Sequence, residues 1–394
     1  MVSSSPLMPL KGLILIYITV FTLFLPVCSR ENANFTAEID AAAPAGDPYR
    51  LRALEIASSL DDRVLISQLF ISGIDAGAAL SDSMKELLKD VPAGGIMLFG
   101  YNLKYDNDTI LSCMTEITSF ISDESGIAPF ISTDHEGGGI NRFINGVGTL
   151  PWASSYIDTV PAEGSRAVLR KIREDSKRAG MEINSLGINM NFAPVAEYLI
   201  PENTDFLKRR SYGSDSVFTA QASVAFIKGM EEAGVLCVVK HFPGTAGNDP
   251  HFSASVLNMD KNNINLLISP FAAAINNGAR AIMAAHTLVP AIDNKIASLS
   301  SAVMQNWLRD EIGFEGIIIS DDFTMAAAGN ITPQDAAVLS VAAGADMILV
   351  WPGHLKKTHD TFAAALKNGN LSRERLFESA QRIIYEKLKM ELFE

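Results

Sequence analysis

The chain has 394 residues, 48% hydrophobic and 20% charged, enough apolar material for one large α/β domain or two of average size. A formal net charge of −13, with no basic patch, excludes nucleic acid as an expected partner. Its three cysteines, Cys28, Cys113 and Cys237, form neither a disulfide framework nor a zinc spacing, and no metal or organic cofactor is indicated.

At the N-terminus Lys11 precedes a largely apolar run, Gly12 to Val27, that ends in Leu25-Pro26-Val27-Cys28. The run is too short for a comfortable transmembrane helix and has the length of a signal-peptide core. Its Leu-x-x-Cys ending resembles the lipobox of bacterial lipoproteins, which would put a lipid on Cys28. Val27 departs from that pattern, because a small residue is usual there. A simply cleaved signal and a retained anchor are the alternatives. All three readings export the body of the protein. The expectation is a lipoprotein held on the periplasmic or cell-surface side, touching the membrane only through residues 1–28. Residues 29–52 are polar and rich in Ala and Pro, the composition of a flexible tether, and 53–394 form the expected folded domain.

Beyond the tether one pattern repeats: a short apolar run, a polar strand end, then an amphipathic segment. The runs are Ser67–Ser72, Gly95–Phe99, Pro129–Thr133, Gly187–Phe192, Val235–Val239, Ala279–Ala284, Gly316–Ser320 and Ala345–Val350, eight in all. Between them Ser216–Ala233, Asn262–Asn277 and Ser301–Ile312 have helical spacing, and Arg373–Leu392 reads as a closing helix with no second domain expected after it. Strands alternating with helices imply a parallel sheet, and this number of units suits a single α/β domain, a (β/α)8 TIM-type barrel. A doubly wound open sheet is the alternative, but no Gly-x-Gly-x-x-Gly follows the first strand. Cys113 falls in an expected helix and Cys237 in an expected core strand, so both read as free buried thiols.

In such a barrel the chemistry gathers at the C-terminal ends of the strands. There stand Asp134-His135-Glu136 with Arg142 soon after, Glu197, Lys240-His241, His286-Thr287, Asp321-Asp322 and Trp351 to His354. Four of the six histidines, His135, His241, His286 and His354, occupy strand ends. Burying so many polar groups is costly unless they are paired or functional. The fifth run goes further. It leads into Lys240-His241-Phe242-Pro243-Gly244 and then a Gly/Pro loop that sets Asp249 beside His251. Carboxylates, cations and a few aromatics, without thiol ligands or a phosphate loop, suit a neutral polyhydroxyl substrate, an oligosaccharide. Glycoside cleavage needs an acid for the leaving oxygen and a base or nucleophile on the opposite face. On its own segment Asp321 fits that role and fits equally a cap for a helix starting near Thr324.

The chain resembles the β-N-acetylglucosaminidases of glycoside hydrolase family 3. The likeness rests on Lys240 to Gly244 followed by Asp249-x-His251, on Asp134-x-Glu136-Gly137-Gly138 with Arg142-Phe143, on Gly187 to Pro194, on Arg210-Ser211-Tyr212 and on Ser320 to Met325. It implies a retaining, exo-acting enzyme that removes terminal β-linked N-acetylglucosamine from peptidoglycan or chitin fragments. It implies Asp321 as the nucleophile that forms a covalent glycosyl-enzyme, His251 as general acid/base and Asp249 as the group that orients it. Asp134, Arg142, Arg210, Lys240 and His241 match positions that grip sugar hydroxyls, and Asp322 keeps a capping role. A histidine is chemically suitable, because its ordinary pKa of ~6.5 lets it alternate between acid and base near neutrality.

The chain departs from the family pattern at Thr245 and Ala246, where a second His is usual, and at Pro250, where Ser is usual. His135 replaces a common Gln, Gly139 a common Arg and Glu197 a common Asp. Pro250 restricts Asp249 and stiffens the dyad. Other readings remain open. A phosphorylase could use the same site, since a neutral histidine tolerates phosphate better than a carboxylate does. A catalytically silent sugar-binding lipoprotein is a second, though intact Asp321, Asp249 and His251 argue against it. A β-glucosidase is the last, because such enzymes usually take their acid from a second domain.

Overall fold

The computed structural model describes residues 47–394 except 248, 326, 327 and 330. Cys28, the signal-like run and residues 29–46 of the expected tether lie outside the described residues. The last residues of that tether, 48–52, are instead helical, as part of Pro48–Ser59. This helix packs on Arg373–Lys389 near the other end of the chain, and its Ala53 and Ala57 are buried.

Eight parallel strands close a barrel. In chain order they are β1 (Phe70–Gly73), β2 (Gly95–Leu98), β3 (Phe130–Thr133), β4 (Met190–Asn191), β5 (Leu236–Phe242), β6 (Ala281–Ala284), β7 (Ile317–Ser320) and β8 (Met347–Val350). Each pairs with the next, and β8 pairs back to β1 through Phe70↔Ile348. The eight expected runs contain or overlap these strands, so the (β/α)8 class is borne out. Every barrel-strand residue except Leu349 is buried. That is why the runs read as continuous apolar stretches rather than alternating ones: helices cover the outside and side chains fill the inside.

The differences from expectation are local. Ser67 ends a helix, Asp62–Ser67, whose first turn is capped by the Asp61 carboxylate accepting from the Val64 N–H, so β1 begins only at Phe70. The segment Asn262–Asn277 is two helices, Lys261–Leu267 and Ser269–Asn276. Pro270 sits in the first turn of the second, where its missing N–H costs nothing, and cannot continue the first. Ser301–Ile312 is largely one π-helix, Ala302–Glu311. Cys113 and Cys237 are free and buried.

At the N-terminal ends of the strands Asp346, just before β8, is fully buried. Its carboxylate accepts from Arg309, Arg375, Arg382, Ser379 and the Ile318 N–H. Desolvation alone would raise this carboxyl, but the guanidinium groups of Arg309, Arg382 and Arg375 hold it at about 2.

Candidate active site

The opposite, C-terminal ends of the strands carry the site. Asp134 follows β3, Lys240 and His241 lie near the C-terminal end of β5, and Asp321 follows β7. After Asp134 the chain doubles back as a short hairpin, His135–Gly137 against Ile140–Asn141. The Asn191 side chain pins its start, accepting from the His135 N–H at 2.9 Å and donating to the His135 carbonyl at 3.0 Å. The tight turn needs glycine. Gly138 has φ +57°, and a Cβ there would sit 2.1 Å from the Trp152 ring. A Cβ on Gly139 would sit 2.7 Å from the same ring, so Trp152 fills the space a longer side chain would need. The hairpin returns Arg142 to Asp134.

Around Lys240 the polar groups form one ionic cluster. Its ammonium donates to Asp134 Oδ1 at 2.7 Å and lies 2.8 Å from Glu136 Oε1. Arg142 donates to the other Asp134 oxygen at 2.8 Å. Arg210 grips Glu136 with both arms of its fork, at 2.8 and 2.9 Å, and lies over the Phe206 ring. Burial would raise the Glu136 carboxyl, yet Lys240 and Arg210 keep it at about 2. Burial opposes ionisation of Asp134 too, and Lys240 and Arg142 hold it well below the ordinary carboxylate range. Desolvation pulls the Lys240 ammonium down, but Asp134 and Glu136 more than offset it, so Lys240 is held protonated.

A second hub is the fully buried Glu197. Its Oε1 accepts from His241 Nδ1 at 2.7 Å and from the His241 backbone N–H at 3.2 Å. Its Oε2 accepts from the Thr245 N–H at 2.6 Å and the Thr245 hydroxyl at 2.7 Å. Two departures from the family pattern, Glu197 and Thr245, therefore meet and together fix the His241 ring. The Lys240–His241 and Phe242–Pro243 peptide bonds are cis.

Asp249 and His251 form the expected pair: His251 Nδ1 donates to Asp249 Oδ1 at 2.6 Å, and its backbone N–H donates to the same oxygen at 3.0 Å. The pair sits on an exposed rim, with the His251 side chain 61% accessible. Burial would raise the Asp249 carboxyl, but the hydrogen bonds from His251 lower it. Asp321 is half-buried, and one oxygen accepts from the Asp322 N–H at 2.8 Å. Asp322 caps the turn after it, accepting from the Thr324 N–H and hydroxyl, and also takes the indole N–H of Trp351.

Asp134, Arg142, Arg210, Lys240, His241, His251 and Asp321 line one chamber of about 170 Å³. A second chamber of about 150 Å³ shares Asp134, Arg142, His251 and Asp321 with it. Two of the strand-end histidines lie elsewhere. His135 is buried away from both chambers, its Nε2–H given to the Gly148 carbonyl. His354 accepts from Gln334 and lines neither. His286 does line the first chamber; its Nε2–H goes to the Asp322 carbonyl, Nδ1 accepts from Ser298, and burial lowers its pKa. Sequence reasoning assigned no role to Glu136, Thr245 or Trp351. For Glu136 the signal was available, since it lies two residues beyond Asp134 in the same short run. Among the described residues no group of three His, Cys, Asp or Glu side chains is placed to hold a metal ion.

Residues 60–385 match the model described as the glycosyl hydrolase family 3 N-terminal domain. A β-hexosaminidase of Neisseria meningitidis serogroup C is 31% identical over 284 residues, 70% of this chain and 76% of the relative. The solved family 3 β-N-acetylglucosaminidase from Paenibacillus sp. strain FPU-7 superposes with a TM-score of 0.78 at 30% identity over 85% of this chain, which spans 63% of that longer protein. NagZ from Neisseria gonorrhoeae, solved with N-trifluoroacetyl-D-glucosamine, gives 0.66 at 26% identity over 80% of this chain and 97% of its own. A match of this length, with a curated relative at this identity, means that the chain belongs to glycosyl hydrolase family 3, as a glycoside hydrolase of the β-N-acetylhexosaminidase type.

Proposed function

We propose that the chain is a retaining exo-β-N-acetylglucosaminidase acting on chitin or peptidoglycan fragments. The observation that carries this reading is that Asp321 and His251 line one chamber while Asp249 holds His251 through Nδ1. In this reading an Asp321 oxygen attacks the anomeric carbon as the glycosidic C–O bond breaks. His251 hands its Nε2 proton to the leaving oxygen. It then takes a proton from water, which displaces Asp321 and restores the carboxylate. Asp249 orients the ring and stabilises its cationic form. Asp134 keeps a free lone pair on each oxygen for sugar hydroxyls, and Lys240, Arg142 and Arg210 donate. His241, with Nδ1 given to Glu197, offers Nε2.

The purified protein should release nitrophenol from 4-nitrophenyl β-N-acetylglucosaminide and not from the β-glucoside, and Asp321→Asn should abolish it. The sugar product in phosphate buffer should be free N-acetylglucosamine. A sugar 1-phosphate would make the enzyme a phosphorylase, and a folded protein that binds without turnover would overturn the catalytic reading.

Export and anchoring through Cys28, with a tether before the helix at Pro48, belong to the same proposal. Lys11, the apolar run to Val27 and the Leu-x-x-Cys ending support them. Labelled fatty acid should enter the wild type and not Cys28→Ser; equal labelling of both would contradict the site.

A further inference from the structure

The second chamber differs in character from the first. Its lining includes two aromatic rings, Phe99 and Trp351, that the first chamber lacks. The Phe99 ring stacks on Trp351, with centroids 5.0 Å apart and 16° between planes, and on Tyr101, at 5.6 Å and 18°. Phe99 and Trp351 line the chamber, and Trp351 and Tyr101 each remain 37% exposed. Trp351 is not free to swing. It immediately precedes the helix Pro352–Lys367, and its indole N–H is given to the Asp322 carboxylate. A fixed aromatic face opening on a polar cup is a surface for the C–H face of a ring, because the electron-rich π-face attracts polarised hydrogens.

Position says which ring. His251 and Asp321 line both chambers, as do Asp134 and Arg142, so the two open into each other around the acid and the nucleophile, and only the second reaches Phe99 and Trp351. If the first holds the sugar that is cleaved off, the second holds what leaves. Charge says which chemistry. Among the described residues lining it, the carboxylates of Asp134, Asp321 and Asp322 outnumber two cationic groups, Arg142, already bound to Asp134, and the proton-carrying form of His251, already bound to Asp249. An added anion would meet like charge there.

We infer that Phe99 and Trp351 form the leaving-group site, that it takes a neutral pyranose, and that it selects chitin-type N-acetylglucosaminyl saccharides over those whose leaving sugar carries a lactyl carboxylate. This rests on the hydrolase reading above and narrows its substrate class. Trp351 is a specificity-determining residue here, acting on the leaving group and not on the cleaved sugar.

The test uses the full-length protein and three substrates: N,N′-diacetylchitobiose, the β-1,4-linked disaccharide of N-acetylglucosamine and N-acetylmuramic acid, and methyl β-N-acetylglucosaminide. The wild type should prefer the neutral disaccharide over the acidic one in kcat/KM by roughly tenfold or more. Trp351→Ala should lower the ratio of kcat/KM for the neutral disaccharide to that for the methyl glycoside by roughly tenfold, mostly through KM. Trp351→Phe, which keeps a stacking face, should recover most of that loss. A wild-type preference for the acidic disaccharide, or an unchanged ratio in Trp351→Ala, overturns this inference alone. No turnover of any of the three by the wild type overturns the hydrolase reading and this inference with it.

Discussion

Lys240 is the residue on which the polar chamber depends. Its ammonium is almost fully buried and touches both Asp134 and Glu136. Lys240→Met would leave two neighbouring carboxylates short of a counter-charge, and removing one partner of a buried ion pair costs about 3–5 kcal/mol. Urea unfolding should show a loss of that order together with a collapse of sugar binding; wild-type stability in the variant would mean the cluster is far better solvated than its burial suggests. Residues like this one were legible in the sequence because they sit in a contiguous motif at a strand end. Which residues they pair with was not. Glu197 bonds His241 across 44 positions, and Lys240 reaches Asp134 across 106. No local pattern encodes such contacts; only closure of the barrel brings them together.

At the scale of elements, the hairpin after β3 sets the place of Arg142. Its glycines leave room for Trp152, over which Arg209 also lies. Gly138→Ala would combine an unfavourable positive φ with a collision against that ring, and strain of this kind costs of order 1–3 kcal/mol. The variant should melt lower and show a raised KM, because Arg142 would lose its approach to Asp134; unchanged melting and KM would contradict this account of the turn. Elements with strong local signals were readable, such as Ser216–Glu232 behind its Asp215 cap. The hairpin was not foreseen, since its strands are too short for a period to register. The break at Ile268 was missed although Pro270 marked it.

For the whole molecule, the repeat of apolar runs made the barrel readable, because each parallel strand is buried on both faces. What it could not reveal is how charge is distributed between the two ends. Buried, paired carboxylates stand at both: Glu136 at the mouth and Asp346 at the base, each held at about 2. Their ordinary values are ~4.3 and ~3.9, so both are depressed in the folded state. The stability they contribute is complete above those ordinary values and is lost as pH falls toward ~2. The free energy of unfolding measured in urea should therefore fall progressively below about pH 4, and Asp346→Asn should flatten part of that fall. An acid profile that is flat in the wild type would contradict the assignment. The central claim concerns one covalent bond and has a direct measurement. The enzyme would be incubated with 5-fluoro-N-acetylglucosaminyl fluoride, a substrate that forms the glycosyl-enzyme faster than water releases it, then digested and sequenced by mass spectrometry. The expected result is a single sugar adduct on Asp321, absent from Asp321→Asn. An adduct on another carboxylate, or turnover that inverts the anomeric configuration, would contradict the account.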